Sequence, residues 1–212
     1  VQQGTIGMLK ELFDKYDCDK GTSKHHYYRD YEPYMESVRN DPINILEIGT
    51  YLGASTSAFH EYFPNANIYT IDIFQRTKPT DLDILKAKRV HWLQGDSMDA
   101  SLGTKIKREW GDVKFDFIID DGAHWPEANR LTFANCIPFM KDDGTYFVED
   151  VWPMDRMSPA ELANPWLKSK ADKYDILKHI RFMTTLDSYS TTHYDRRKQT
   201  KCGDTYIIAV TK

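Results

Sequence analysis

Five short apolar runs recur along this chain, each followed by a turn and a segment of helical character. Each run carries an acidic residue at or beside its end. The runs are Asn44–Ile48, Ile68–Ile73, Val90–Gln94, Phe115–Ile119 and Thr145–Val148, and the spacing predicts helices over Ala54–Phe63, Asp81–Lys88, Ser101–Glu109, Pro126–Phe139 and Pro159–Lys170. Strands alternating with helices imply an α/β fold in which a largely parallel sheet is covered by helices on both faces. Near the carboxyl end, Ile180–Leu186 and Thr205–Val210 read as a final antiparallel pair, with Arg196, Arg197, Lys198 and Lys201 in the connection.

The chain has 212 residues and no Pro/Gly/Ser-rich linker, so it reads as one domain, 1–212. Within it, residues 1–40 are expected to lie over the binding edge of the sheet, and 41–212 to form the core with a lid around 151–170. A net charge of −4 argues against general nucleic-acid binding, and the basic cluster reads as a solvated hairpin turn. No apolar run approaches the ~20 residues of a membrane span, and no signal-like pattern opens the chain, which predicts a cytoplasmic protein without membrane contact. A homo-oligomer is left open. Cys18, Cys136 and Cys202 are widely spaced and form no CxxC pair, so they read as plain thiols.

An open parallel sheet binds its ligand beyond the carboxyl ends of its strands, where strand order reverses. In "EIGTYLG" Gly49 and Gly53 flank a turn, containing Thr50, that feeds a helix and lets backbone N–H groups face a ligand. The G-x-x-x-G spacing lacks the third glycine of the dinucleotide fingerprint. Asp72, 19 residues past Gly53, is placed to bind both ribose hydroxyls, and Asp96 and Ser97 of "GDS" to reach an adenine edge. These are three elements of a nucleoside site in order, and Glu47 is placed to face an amino-acid part of such a ligand.

Through residues 44–152 the chain resembles the class I S-adenosylmethionine-dependent methyltransferases. That resemblance implies a Rossmann-like, seven-stranded, mostly parallel sheet with a last antiparallel strand. "DKGTSKHHYYRDYEPY", residues 19–34, further resembles the D-K-G…K-H-x-Y-x-x-x-Y element of metal-dependent natural-product sugar O-methyltransferases of the mycinamicin and tetracenomycin rhamnosyl type. It is carried here by Asp19, Lys20, Gly21, Lys24, His25, Tyr27 and Tyr31, of which Lys24 and Tyr27 are expected to contact the cofactor. The same group is similar in its acidic elements after the fourth and fifth strands, which fall on Asp121, His124, Glu149 and Asp150.

Neighbouring strand ends lie about 5 Å apart, so Asp121, Glu149 and Asp150 can converge and would raise one another's pKa or demand a cation. An all-oxygen set suits Mg²⁺ or another hard divalent ion. The resemblance then implies methyl transfer to a hydroxyl of a sugar or similar small diol, with Asp121 and His124 as catalytic groups and His124 as the base. Asp120 is expected at the cofactor's charged end or as a cap of the next turn. Trp125, Trp152, Trp166, Met154 and Met157 are expected to form the lid. Alternatives are a metal-independent methyltransferase with His124 alone, or a non-catalytic adenosyl-ligand binding subunit; a dehydrogenase is disfavoured by the missing glycine.

Overall fold

The computed structural model describes residues 7–152, 157–163, 165 and 188–212. Its strands are β1 (Asn44–Ile48), β2 (Asn67–Asp72), β3 (Val90–Gln94), β4 (Phe115–Asp120), β5 (Met140–Val148), β6 (Ser190–Asp195) and β7 (Tyr206–Thr211). They form one sheet in the order β3-β2-β1-β4-β5-β7-β6. β1 to β5 run parallel, and β7 is antiparallel to both β5 and β6. The predicted architecture, a mostly parallel seven-stranded sheet with a reversed last strand, is the one observed.

The helices are α1 (Met8–Lys15), α2 (Tyr28–Met35), α3 (Ala54–Tyr62), α4 (Leu102–Trp110) and α5 (Pro126–Cys136), with the short α6 (Pro159–Leu162) and α7 (Arg197–Thr200). Because the strand runs are apolar at both parities, each feeds two cores. Ile45, Ile68, Phe117, Ile119 and Phe147 pack with Leu9, Phe13, Tyr31 and Phe59 from α1, α2 and α3. Leu46, Ile48, Ile71, Ile118 and Val148 pack on the other face with Leu102, Ile106 and Phe133 from α4 and α5. No helix among the described residues is long and apolar enough to cross a membrane.

Three expectations need correction. The helix expected over Asp81–Lys88 is two 3₁₀ turns, Pro79–Asp81 and Asp83–Lys86, because Leu82 between them is extended so that it and Leu85 can be buried. The partner of β7 is Ser190–Asp195; Ile180–Leu186 lies outside the described residues. β6 is an edge strand, mostly exposed and polar, and offers no apolar alternation to read. β5 begins at Met140, five residues earlier than expected. Of the helix expected over Pro159–Lys170, Pro159–Leu162 is helical, and most of the remainder, like Trp166 and Met154 of the expected lid, lies outside the described residues.

Strand order reverses between β1 and β4, and the register there is tight: Ile48 pairs with Asp120, which pairs with Val148. Gly49 follows at φ 95°, in the left-handed region, with its α-carbon against the Asp121 carbonyl. Gly49→Ala should therefore destabilise the fold by about 2–4 kcal/mol. Gly103→Ala, inside α4 where a methyl meets only Phe139 at ordinary contact distance, should change stability by less than about 1 kcal/mol. Urea denaturation of the two variants checks the contrast; similar losses would mean that the β1–β4 approach is not what confines Gly49.

Candidate active site

One cleft of about 1010 Å³ opens at the reversal point. On one side its wall is Gly49–Ser55, Asp72–Thr77 and Gly95–Met98, and on the other Asp19, Lys20, Lys24, Asp121–Trp125, Asp150 and Asp204. The strand ends thus put the turns expected to hold a nucleoside and the acidic elements into a single chamber.

On the nucleoside side, Gly53 at φ 78° caps α3 and aims the first-turn amides into the cleft. Thr50 is buried and bonded to Thr70 (2.6 Å between hydroxyls). Asp72 accepts from the amides of Tyr51 (2.9 Å) and Phe74 (2.6 Å). These bonds fix its carboxylate on the wall while leaving each oxygen lone pairs for a diol. Asp96 accepts from Met98 N, and the Ser97 hydroxyl is tied to Thr132. Glu47 is 0% exposed, lies behind the wall and accepts from the hydroxyls of Ser55 and Thr56. Burial pushes its pKa up to about 7 against the pull of Lys20.

At the acidic side, Asp121, His124 and Asp150 offer ligand atoms that all lie within 4.8 Å of one another. His124 Nε2 stands 3.5 Å from Asp121 Oδ1 and 3.7 Å from Asp150 Oδ2. Burial disfavours its imidazolium, but Asp150, Asp121 and Asp120 outweigh that and raise its pKa. Its Nδ1 is buried without a hydrogen-bond partner. Successive strand residues point to opposite faces, yet Glu149 and Asp150 serve one corner because Asp150 turns into the left-handed region at φ 53°.

The amino-terminal element explains itself in this geometry. Tyr27 and Tyr31, four residues apart at the start of α2, present their hydroxyls to Asp150 Oδ1 (2.7 Å) and to Glu149. Lys20, 1% exposed, donates to Asp121 and to Glu149 Oε2 (2.7 Å). Even so, burial and the Asp121 carboxylate hold Glu149 well above the usual carboxylate range, against the Lys20 ammonium. One fixed cation is thus too little for the carboxylates gathered here, and their hard oxygen donors fit a further divalent ion.

The family described as a methyltransferase domain matches residues 46–151, half of the chain and the stretch that builds this cleft. The chain belongs to the methyltransferase family. This methyltransferase chain is 31% identical over 169 residues to mycinamicin VI 2″-O-methyltransferase of Micromonospora griseorubida, covering 72% of this chain and 40% of that protein. It is 31% identical over 153 residues to 8-demethyl-8-(2-methoxy-α-L-rhamnosyl)-tetracenomycin-C 3′-O-methyltransferase of Streptomyces olivaceus, covering 69% and 37%. The chain therefore spans about two-fifths of the length of these curated relatives. Among solved structures, MycE of the mycinamycin biosynthetic pathway, in complex with Mg and SAH, superposes with a TM-score of 0.70 at 23% identity, over 96% of this chain and 54% of that one.

Of the residues singled out in the methyltransferase sequence, Gly49, Thr50, Gly53, Asp72, Asp96, Ser97, Lys24, Asp121, His124 and Asp150 line the cleft. Glu47, Asp120, Tyr27 and Glu149 stand behind it. Asp120 is bonded to Asn129 and to Gly122 N, and its burial pushes its pKa up to about 6. Tyr27 meets Asp150 rather than the nucleoside side. The roles of Lys20 and Tyr31 were not assigned from sequence. The signals were the D-K-G run for Lys20 and the Y-x-x-x-Y spacing for Tyr31, which give a turn and one helix face but not what either meets.

Lys20→Met leaves the buried Glu149 and the partly buried Asp121 without their counter-ion, and should lower stability at neutral pH by about 3–5 kcal/mol; a urea midpoint close to wild type would show that protonation or water entering from the cleft compensates the pair. Glu47 yields a pH prediction. Its folded pKa of about 7 exceeds the ordinary 4.5, so the folded state holds its proton more tightly. That contribution is present in full below pH 4.5 and is lost as pH rises through 7. Glu47→Gln should make the fall in thermal midpoint across that window shallower, and an unchanged slope would mean that Glu47 ionises as freely in the fold as out of it.

Proposed function

We propose that this chain is the catalytic region of an S-adenosylmethionine-dependent O-methyltransferase acting on a hydroxyl of a sugar or similar small diol, with Mg²⁺ or another hard divalent cation. The observation that carries the reading is the clustering of Asp121, His124 and Asp150 within 4.8 Å in the same cleft as the Gly49–Gly53 turn and Asp72. The names of the two curated relatives, O-methyltransferases of mycinamicin VI and of a rhamnosyl-tetracenomycin, support a sugar acceptor. The magnesium and SAH in the MycE complex support the two cofactors.

S-Adenosylmethionine would supply a sulfonium methyl group, and a divalent ion held by Asp121, Asp150 and, behind them, Glu149 would supply Lewis-acid polarisation of an acceptor hydroxyl. Asp72 would hold the ribose and the Gly49–Gly53 turn the backbone of the nucleoside, so that the cofactor's reacting end points towards the acidic corner. His124 is the base: 34% exposed, it borders both the acceptor space and the carboxylates, which favour its protonated form once it has taken the hydroxyl proton. Asp121 orients the imidazole. Alignment of two reactants in one chamber supplies the rest.

Calorimetric titration of Mg²⁺ into protein saturated with S-adenosylhomocysteine tests the metal. Binding should be present in the wild type and lost in Asp121→Ala; no binding to the saturated wild type would leave a methyltransferase relying on His124 alone. His124→Ala should bind S-adenosylhomocysteine normally and lose about 10²–10⁴ in kcat, whereas Asp72→Ala should weaken that binding by about tenfold or more, roughly 1.4 kcal/mol. Unchanged turnover in the first, or unchanged affinity in the second, would remove the residue from its role.

A further inference from the structure

A second group of side chains is not used by methyl transfer. His25, Cys202 and Asp204 each offer a ligand atom, and these too lie within 4.8 Å of one another. Their chemistry differs from that of the acidic corner. An imidazole nitrogen, a sulfur and a carboxylate oxygen form a mixed set that favours Zn²⁺ or Co²⁺ over Mg²⁺.

The group is held in place from several sides. His25 is 1% exposed and its ring stacks on Tyr27, centroids 4.9 Å apart and planes 6° from parallel. Its Nδ1 is 2.8 Å from the Thr205 hydroxyl, while Nε2 is buried with no hydrogen-bond partner and faces the carboxylates of Asp19 (3.8 Å) and Asp150 (3.6 Å). The tautomer that donates Nδ1–H to Thr205 is the one metal binding selects, because it leaves the Nε2 lone pair for the ion and orients the ring through its other nitrogen. Cys202 donates its S–H to Asp204 Oδ1 at 2.9 Å. Gly203 between them lies against the Trp152 ring, and the Asp204 carbonyl accepts from the Tyr27 hydroxyl at 3.2 Å. Asp204 lines the cleft, which gives an ion a way in. Cys18 and Cys136 are buried, whereas Cys202 is half-buried and can be reached.

We infer that His25, Cys202 and Asp204 form a second metal site, selective for a thiophilic divalent ion such as Zn²⁺ or Co²⁺, on the wall of the cleft. On binding, the Cys202 S–H bond breaks, its proton passes to solvent, and the sulfur electron pair forms the metal bond; no oxidation or reduction takes place. Three protein ligands leave a fourth position for water. His25 Nε2 is 3.6 Å from Asp150 Oδ1, so the two metal sites are neighbours across one carboxylate.

The test is a Co²⁺ titration of the reduced full chain, followed by the near-ultraviolet thiolate-to-cobalt charge-transfer absorption. The wild type should saturate at one thiolate-bound equivalent. Cys202→Ala should abolish the band, and Asp204→Asn should weaken the affinity on the order of tenfold or more. Asp121→Asn, which alters the oxygen-donor corner, should keep it. A wild type without the band, a band that survives in Cys202→Ala, or its loss in Asp121→Asn would each overturn the inference. None of these readings depends on methyl transfer, so the site stands or falls apart from the proposed activity.

Discussion

The structure turns on a buried ammonium. Lys20 reaches Asp121 and Glu149, residues 101 and 129 positions further along the chain, and so ties the segment before β1 to the ends of β4 and β5. Burying a lysine is costly unless its charge is met. Two carboxylates at adjacent strand ends have the complementary difficulty. Each solves part of the other's problem, and the pairing adds a polar tie to the apolar packing that holds α1 and α2 on the sheet face. Tyr27 and Tyr31 extend the same arrangement with two hydroxyl donors.

The balance is deliberately incomplete on the side of negative charge, in the sense that the carboxylates outnumber the cations that face them. Glu149 stays well above the usual carboxylate range even with Lys20 beside it. An acidic corner in that condition takes up a cation or protons, and both outcomes place positive charge where His124 stands. The wall formed by the Gly49–Gly53 turn, Asp72 and Gly95–Met98 shows the opposite character. Its polar groups, Thr50, Asp72, Asp96 and Ser97, are each held by hydroxyls or amides of the protein, which sets their positions before any ligand arrives.

The five parallel strands were legible because burial on both faces leaves an unmistakable apolar run, and their ends were legible because glycine and aspartate interrupt that run. Gly49, Asp72 and Asp121 follow directly. What could not be read is set by packing between distant segments: that Glu47 lies behind the wall bonded to Ser55 and Thr56, or that Lys20 rather than solvent faces Glu149. Leu82 shows the limit in small compass. A helical spacing of leucines looks the same whether a continuous helix or two turns with an extended residue buries them. β6 was missed for the reverse reason, since a polar edge strand held by backbone pairing and by polar contacts of His193 and Tyr194 has no apolar signature.

The register Ile48–Asp120–Val148 has a bearing on how such a chain can change over time. Gly49, Asp121 and Glu149 are each the first residue past that paired row, so their positions are measured from the sheet and not from the loops that follow. Adding or removing residues in those loops alters what lies above the cleft and leaves the paired row untouched. A single residue gained or lost inside β1, β4 or β5 has a different effect: it moves the end group by one pleat and turns it to the opposite face. Variation in length is thus confined by the backbone pairing to the loops above the cleft, and one set of strand ends can keep its place beneath covers of many shapes.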